Sequence, residues 1–285
     1  MNESQHFGIA AVLAIIGVII AIYVLFPLVW LVLAAFKPAS ELTSLPVLFM
    51  PQEPTLNAYR ELFGAGTQSS QFLNWSHLIS NSFLIAITST ILVVFFGTIA
   101  GYAFSRLSFP GRDVILGGLL VSRMFQGAAL LLPTYRLMNS VGLNDSLFGL
   151  ICLYSAFGLP FATWIIASGL REIPMELEEA AMMDGASRLQ SMVIVVLPLA
   201  VPALLTAAMW HFVGAWSEFA FASILLETNE NKTVTIGLAN FVEYFSLQFN
   251  LVGAAASVVA LPILLIFFFG QRYFTRGLLQ GAVKG

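Results

Sequence analysis

The sequence predicts an all-α membrane protein with six transmembrane helices. Of the 285 residues, 59% are hydrophobic and only 9% are charged, whereas about a quarter of the residues in an average soluble domain are charged. Several apolar runs reach the roughly 20 residues that a helix needs to cross the hydrocarbon core. These runs are too long and continuous for barrel strands, and within lipid only helices or closed barrels satisfy the backbone. The formal net charge of -3 provides no basic patch, so nucleic acid is not an expected partner.

Six apolar runs define the predicted spans. Residues 1–6 contain no Lys or Arg, and the first run is longer than a signal-peptide core, so we expect an uncleaved first span. A loop rich in Pro and Gly follows, with a short helix expected over residues 55–63 and a cap from Thr55 or Asn57. We therefore expect two parts. Residues 1–77 form the first span and an extracytoplasmic loop, and residues 78–285 form a core with five spans. The predicted spans are residues 7–36, 78–102, 114–132, 147–170, 193–216 and 251–269.

Basic residues predict the orientation. Seven Lys and Arg residues fall on short segments on one side of the spans, whereas four fall on longer segments on the other side. The positive-inside rule places the side with seven in the cytoplasm, together with both termini and the loop 171–192. Lys37, directly after the first span, favours the reverse orientation when it is taken alone. The cytoplasmic set is Arg106, Arg112, Arg171, Arg188, Arg272, Arg276 and Lys284, and the outer set is Lys37, Arg60, Arg136 and Lys232.

The segment from Arg171 to Pro202 is a long polar interruption with internal order. Pro174 suits the first position of a short helix that continues from Met175. Gly185 should end that helix, because glycine takes the left-handed conformation without steric cost. Ser187 and Gln190 form a capping box that opens a second helix, which continues into apolar residues 192–197. The segment therefore predicts a helix, a glycine turn and a second helix that enters a span.

This segment resembles the EAA loop of the membrane permease subunits of ATP-binding-cassette (ABC) importers. The resemblance rests on Glu179-Ala180-Ala181, Gly185 and Val195-Val196-Leu197-Pro198, and the variant Asp184-Gly185-Ala186 is similar to the carbohydrate branch with maltose-type and trehalose-type permeases. It implies the fold of a type I importer permease and a loop that lies in a groove of a cytoplasmic ATPase. The alternative is a solvated acidic helix, although no face of residues 175–183 is clearly polar. The implied ATPase-coupling residues are Glu179, Ala180, Ala181, Asp184, Gly185 and Pro198.

The C-terminal sequence carries a second resemblance. Gly281-Ala282-Val283-Lys284-Gly285 is similar to the tail of maltose-type and trehalose-type permeases. In those proteins the tail reaches toward the ATPase dimer, which implies ATPase contacts for Gly281 and Lys284. Without the resemblance, the same residues are equally well described as a frayed terminus.

Together, the resemblances imply a permease subunit of an ATP-driven, binding-protein-dependent importer of a di- or oligosaccharide such as trehalose or maltose. The implied partners are a second homologous permease, two ATPase subunits and an extracytoplasmic sugar-binding protein that contacts the outer loop 218–250. The implied location is the bacterial or archaeal cytoplasmic membrane. No G-x-x-x-x-G-K-[ST] phosphate loop occurs, so we expect ATP and Mg on the partner ATPases and no catalytic or metal-binding residue in this chain. Two alternatives stay open, namely an importer of another solute, such as a polyamine or phosphate, and a proton-coupled secondary carrier.

Polar and aromatic residues within the spans are candidates for the substrate path. An arginine at the depth of Arg123 costs about 2.5 to 3.5 kcal/mol on insertion scales, so its side chain must face protein or water. Arg123 either lines the path with Ser122 and Gln126, or forms a structural pair with a carboxylate of the partner subunit or with a backbone carbonyl. His211 is expected to be a hydrogen-bonded interior histidine. The other path candidates are Tyr154, Ser155, Trp216 and Glu218, with an aromatic-belt position as the alternative for Trp216.

Overall fold

A computed structural model describes residues 3–43, 48–64, 74–125, 127–245 and 248–282. These ranges form helices joined by turns, and they contain no strand. Four helices exceed 24 residues, which matches the length that a membrane crossing requires. The helices are α1 Glu3–Ala35, α2 Ala39–Thr43, α3 Asn57–Phe63, α4 Trp75–Arg106, α5 Arg112–Ser122, α6 Ala128–Ser140, α7 Leu147–Arg171, α8 Met175–Met183, α9 Arg188–Ser191, α10 Leu197–Ser217, α11 Ala220–Leu225, α12 Val234–Tyr244 and α13 Phe249–Ala282.

Five helical segments of the described chain are long and apolar enough to cross a membrane. They correspond to five of the six predicted spans, and they confirm the prediction of an all-α membrane protein. The fourth of them joins α9 to α10 through a π-helical turn, Met192–Val196. The five segments are Val12–Ala35, Trp75–Arg106, Leu147–Arg171, Arg188–Ser217 and Phe249–Gln271.

The predicted third span, residues 114–132, is not one continuous helix. Helix α5 ends at Ser122, a 3-10 turn covers Arg123–Phe125, and α6 begins at Ala128. Gly127 has a φ angle of +120°, a conformation that glycine adopts without strain and that cannot continue an α-helix. The prediction of a single helix is therefore wrong here, because a glycine interrupts the apolar run.

The short helix in the first loop starts later than predicted. It covers Asn57–Phe63 and follows Leu56, and no side chain caps its first turn. The proposed caps Thr55 and Asn57 are therefore wrong. The backbone N–H of Thr55 instead donates to the carbonyl of Phe36 at 2.8 Å, which ties the loop to the end of α1.

The first of two compact units is held by contacts near the end of α1. The hydroxyls of Tyr59 and Ser257 are hydrogen-bonded at 2.8 Å, which joins α3 to α13. The side chain of Lys37 is buried and donates to the carbonyl of Leu48, and its ammonium lies 4.6 Å from the ring centre of Trp30. The one residue that favoured the reverse orientation is thus engaged inside the chain. The unit comprises Met1–Trp75 and Leu238–Leu261.

The second compact unit is built around α4, α7 and α10. A Cβ atom at Gly101 would lie 2.9 Å from Cγ2 of Ile166, so the glycine lets α4 and α7 approach closely. Small residues at helix contacts are typical of membrane proteins, where lipid provides no hydrophobic drive between helices. Two buried apolar clusters fill the unit, one including Ile85, Leu150, Leu153 and Phe221 and the other including Val93, Tyr102, Ile166 and Val196. The unit comprises Ser76–Gly237 and Pro262–Gly285.

Candidate functional site

The helix–glycine–helix segment predicted around Gly185 is present, and we call residues 171–192 the elbow. Helix α8 runs from Met175 to Met183, and Pro174 precedes its first residue. Gly185 has a φ angle of +95°. Its N–H donates to the carbonyl of Met182 at 3.1 Å, and the N–H of Ala186 donates to that of Ala181 at 3.0 Å. This is the double hydrogen bond of a Schellman motif, which satisfies carbonyls that the end of α8 leaves free.

A capping box opens the second helix of the elbow, as the sequence predicts. The N–H of Gln190 donates to Oγ of Ser187 at 3.3 Å, and the N–H of Ser187 donates to Oε1 of Gln190 at 2.8 Å. Helix α9 then passes through the π-helical turn Met192–Val196 into α10, in which Pro198 is the second residue. The backbone therefore leads from the elbow into a membrane span without a loop.

A buried ion pair fixes the elbow to the end of α4. The side chains of Glu178 and Arg106 are only 4% and 5% exposed, and Oε2 of Glu178 lies 3.0 Å from Nε of Arg106. These two atoms form an ion pair, but their geometry is not that of a hydrogen bond. The hydroxyl of Tyr102 donates to Oε1 of Glu178, and Nη2 of Arg106 donates to the carbonyl of Ile173 at 2.9 Å. Oγ of Ser191 donates to the backbone carbonyl of Glu178 at 3.2 Å, so α4 and the segment that leads into the next span both contact this residue of α8.

The opposite side of the elbow is exposed. Glu179, Ala180 and Asp184 are exposed, whereas Ala181 is half-buried. Large apolar side chains lie on the same surface, with Met183 88% and Leu189 69% exposed. Apolar side chains grouped with charges on a surface are typical of protein contacts. The arrangement argues against a solvated acidic helix.

A second arginine links the elbow to the turn between α4 and α5. Nη2 of Arg171 donates to Oδ1 of Asp113 at 2.9 Å and to the carbonyl of Phe104 at 3.3 Å. The hydrogen bond from Arg171, together with the charge of Arg112, holds the pKa of the Asp113 carboxyl below its usual value. Both ends of this turn are thus tied to residues at the base of the elbow.

Two residues predicted to contact the ATPase belong to the C-terminal segment. Gly281 is in the last turn of α13, which ends at Ala282. Lys284 lies outside the described residues, as does the path candidate Gln126.

Arg123 lies in the 3-10 turn between α5 and α6 and is half-buried. Its Nη1 donates to the carbonyl of Phe157 at 2.9 Å, and its guanidinium carbon lies 5.6 Å from the ring centre of Phe161. Pro160 lies just beyond this carbonyl on α7, and a proline inside a helix disturbs the preceding turn. Of the two roles predicted for Arg123, the pair with a backbone carbonyl is therefore present, and the half-exposed guanidinium stays compatible with a path role.

An aromatic row stands beside Arg123. Phe161 and Trp164 of α7 are stacked, with ring centres 5.8 Å apart, and Trp210 of α10 lies 5.2 Å from Phe161. Trp164 is 37% and Trp210 is 52% exposed. We call Phe161, Trp164 and Trp210 the aromatic row. The two tryptophans of the row are thus exposed on this subunit, close to the guanidinium of Arg123.

Two of the predicted path residues, Tyr154 and Glu218, are hydrogen-bonded within the chain, and the hydroxyl of a third, Ser155, is shielded from solvent. The buried hydroxyl of Tyr154 donates to Oε2 of Glu218 at 2.5 Å. Glu218 also accepts from the backbone N–H groups of Phe221 and Ala222, at 2.9 and 3.1 Å, so its carboxylate caps α11. Oγ of Ser155 is shielded from solvent and has no hydrogen-bond partner among the described residues.

Trp216 is enclosed in an aromatic cluster. It is 2% exposed, and its ring centre lies 4.7 Å from that of Phe83 and 6.0 Å from that of Phe212. A tryptophan of an aromatic belt would face the membrane interface. The belt position is therefore wrong for Trp216, because neighbouring helices cover its ring.

His211 is an interior histidine, as expected. It is 7% exposed, and its Nε2 lies within hydrogen-bond distance, 3.1 Å, of Oγ of Ser89 on α4. A Cβ atom at Gly158 of α7 would lie 2.2 Å from Nδ1 of His211. The imidazole therefore fits between three helices because position 158 has no side chain.

Asp145 joins two loops at the end of the unit opposite the elbow, and we call residues 141–146 and 226–232 the cap. Its Oδ1 accepts from the backbone N–H groups of Glu227 and Thr228 and from Nδ2 of Asn231, at 3.0, 3.2 and 3.2 Å. Burial raises the pKa of this carboxyl, but the hydrogen bonds outweigh burial and hold the pKa below its usual value. Asp145 has a φ angle of +50°, which aspartate tolerates better than most residues.

Sequence reasoning missed the anchoring role of Glu178 and the aromatic row. One signal for the anchor was present, since adjacent residues on a helix point about 100° apart and Glu178 and Glu179 cannot both face a partner. Phe161 and Trp164 are three residues apart and so share a helix face. No comparable signal linked either of them to Trp210 or Arg123.

Residues 7–280 match the family described as binding-protein-dependent transport system inner membrane component. The chain is 34% identical over 274 residues to the trehalose transport system permease protein SugB of Mycobacterium tuberculosis, covering 95% of this chain and 97% of that protein. It is 32% identical over 266 residues to the galactooligosaccharides transport system permease protein GanQ of Bacillus subtilis, covering 93% and 92%. A chain in the crystal structure of a bacterial ABC transporter involved in alginate import superposes with a TM-score of 0.80 at 22% identity, covering 96% of this chain and 99% of that chain.

The fold and the elbow thus define a multi-pass membrane permease of the ABC-transporter type. The chain belongs to the family of binding-protein-dependent transport system inner membrane components. This confirms the resemblance drawn from the EAA segment.

Proposed function

We propose that this chain is one permease subunit of an ATP-driven, binding-protein-dependent importer of a di- or oligosaccharide such as trehalose or maltose. The observation that carries the proposal is the elbow, which exposes its Glu179 face while Glu178 is locked to α4. The names of the relatives support a sugar as the solute, since they are permeases for trehalose and galactooligosaccharides.

In the proposed topology the chain crosses the membrane six times, with both termini in the cytoplasm. Helices α5 and α6, of 11 and 13 residues, form the third crossing together, as one passage interrupted at Gly127. Residues 1–77 contribute the first crossing and an outer loop, and residues 78–285 form the core of the permease. The membrane is the cytoplasmic membrane of a bacterium or archaeon. The grouping of Arg106, Arg112 and Arg171 around the base of the elbow favours this orientation.

The elbow transmits the movement of the ATPases in this proposal. A cytoplasmic ATPase dimer binds ATP and Mg, and one of its subunits holds the exposed residues Glu179, Ala180, Ala181 and Asp184. When the dimer closes, Glu178 passes the displacement to Arg106 and hence to α4, and the π turn passes it to α10. The solute shifts the equilibrium between inward-facing and outward-facing states only by its difference in affinity for the two states. This chain performs no catalysis of its own.

The remaining partners follow the family pattern. A second, homologous permease completes the translocation path, and an extracytoplasmic sugar-binding protein docks on the outer loop 218–250. Gly281 and Lys284 reach the ATPase dimer. Arg123 and Gln126 line the path. Tyr154, Ser155, Trp216 and Glu218 shape its outer end, and three of them are buried or engaged as described, so they reach the solute only when that end opens.

The experiment that tests this function is purification of the chain with its native partners, followed by mass spectrometry of the bound solute. We expect ATPase subunits in the complex, a disulfide crosslink from Glu179→Cys to an ATPase groove, and a di- or oligosaccharide as the solute. A polyamine or phosphate as the solute would assign another class of ABC importer. Uptake that persists without the ATPase would indicate a secondary carrier.

A further inference from the structure

We propose that the aromatic row and Arg123 form a carbohydrate-binding subsite on this subunit. The inference rests on the proposed function of sugar import and assigns a specific surface to it. Its elements are the ring faces of Phe161, Trp164 and Trp210 and the guanidinium that lies 5.6 Å from the centre of Phe161.

The exposure of these rings is the first observation. Trp164 and Trp210 lie within helices Leu147–Arg171 and Leu197–Ser217, several residues from either end, yet they are 37% and 52% exposed. Tryptophan in membrane proteins is enriched at the interfaces, where the indole N–H reaches water. Two exposed indoles away from the helix ends therefore indicate a polar surface inside the membrane plane rather than contact with lipid tails.

The position of Arg123 is the second observation. A hydrocarbon environment satisfies aromatic rings but not a half-exposed guanidinium, so this face turns toward protein or water. The bond to the carbonyl of Phe157 uses one of the five N–H donors of the guanidinium. Within the described ranges the other donors have no recorded acceptor, and they suit a ligand that is rich in oxygen acceptors.

The interrupted helix is an independent third observation. The α-helical conformation is lost next to the aromatic row, in the 3-10 turn Arg123–Phe125 and at Gly127, which has a φ angle of +120°. At membrane depth, irregular backbone is tolerated only where it is enclosed by protein or lines a water-filled cavity. Broken helices form the substrate sites of many transporters.

A carbohydrate matches all three features. The C–H face of a sugar ring packs on an aromatic face, whereas its hydroxyls accept hydrogen bonds from a guanidinium. The exposed rings of Trp164 and Trp210 offer this contact, and Phe161 packs between them and Arg123. A lipid chain has no acceptor for the N–H donors of Arg123. A helix of a partner subunit would need a carboxylate at this point to accept them.

The test uses the complete transporter in proteoliposomes, with radiolabelled trehalose, maltose and galactobiose as probes. For the sugar that the wild type imports, we expect Trp210→Ala and Trp164→Ala to raise KM about three- to tenfold with little change in maximal rate. Trp210→Phe, which keeps a ring, should remain close to the wild type. The matched control is Phe95→Ala on α4, because Phe95 is 58% exposed and lies outside the row.

The outcomes separate the two proposals. Import of none of the three sugars by the wild type overturns the proposed function and the subsite with it. Sugar import by the wild type with an unchanged KM in both tryptophan variants overturns the subsite alone. Loss of the second permease on copurification of these variants also overturns it, and assigns the aromatic row to the subunit interface.

Discussion

Gly158 has no Cβ atom, and the imidazole of His211 occupies the space that a Cβ atom would fill. The surrounding contacts leave little room for adjustment, since a Cβ atom there would also lie 3.1 Å from Cγ2 of Val93. The same imidazole lies 3.1 Å from Oγ of Ser89, so α10 contacts α4 and α7 through one side chain. Helix packing in the second unit therefore depends on a few atoms at this point.

We expect Gly158→Ala to destabilise the subunit by about 1 to 3 kcal/mol, because overpacking a tight core forces side chains from their rotamers. The thermal unfolding of the purified complex measures the effect. The control is Gly214→Ala, since a Cβ atom at Gly214 meets nothing within 4 Å. Adding His211→Ala should restore part of the loss, and equal melting temperatures for both glycine variants would refute the expectation.

Gly185 depends on backbone conformation rather than space. Nothing lies within 4 Å of a Cβ atom built there, but its φ angle is +95°. We expect Gly185→Ala to destabilise the elbow turn by about 1 to 2 kcal/mol, and to lower sugar-dependent ATP hydrolysis while membrane insertion stays unchanged. Gly185→Asn should be milder, because asparagine enters the left-handed region more readily. Equal ATP hydrolysis by the alanine variant and the wild type would show that the conformation of this turn is not needed for coupling to the ATPase.

At the scale of elements, the neighbouring glutamates of α8 have opposite surroundings. Glu178 is buried against α4, whereas Glu179 is exposed. We expect Glu178→Gln to destabilise the protein by about 3 to 5 kcal/mol, because removing one partner leaves the charge of Arg106 buried and unpaired. Denaturation of the purified subunit in detergent measures this loss.

Glu179→Gln is the matched control for that variant. We expect it to leave unfolding unchanged and to weaken copurification of the ATPase, since its carboxylate faces outward. Similar unfolding of the two variants would contradict the anchoring role of Glu178.

The elbow could be predicted from the sequence because its rules are local. A capping box and a C-terminal glycine act over a few residues, and the structure contains both at Ser187 and Gly185. The anchor could not be predicted in the same way, because Tyr102 and Glu178 are 76 residues apart in the chain. The sequence also did not show which face of each span is buried. A helix that is apolar on all sides has no pattern that distinguishes the buried Trp216 from the exposed Trp210.

At the scale of the whole molecule, the five membrane-spanning segments were recognisable by their apolar length, but the interruption of the third apolar run was not. The third apolar run was predicted as one span, whereas its first helix ends at Ser122 and the next helix begins after Gly127, whose φ angle is +120°. The apolar composition of a segment predicts whether it partitions into lipid, but it does not depend on the dihedral angles of a single residue. It therefore cannot predict where a helix is interrupted.

The cap at the end opposite the elbow should respond to acid. Because hydrogen bonds lower the pKa of Asp145 from its ordinary 3.8 in the folded protein, its stabilisation is complete above that value and is lost as the pH falls through the lower folded-state value. We expect amide exchange at Glu227 and Thr228 to accelerate several-fold, relative to intrinsic rates, between pH 5 and pH 3.

Asp145→Asn is the control for this titration, because asparagine accepts the same φ angle but does not ionise. It should show faster exchange at pH 5 than the wild type and no further loosening on acidification. A wild-type cap whose protection is constant over this range would contradict the assigned role of the carboxylate.

The π turn of Met192–Val196 holds one residue more than an α-turn. Each residue of an α-helix advances the chain by about 100° around the axis, so the surplus residue sets the angular offset between the faces of α9 and α10. Deleting one residue there would let the helix close regularly while swinging Leu189 and the capping box to a different side of the bundle. The number of residues in this turn thus sets the direction in which the elbow faces, and deletion of one of residues 193–196 would change that direction while all residues of the elbow remain present.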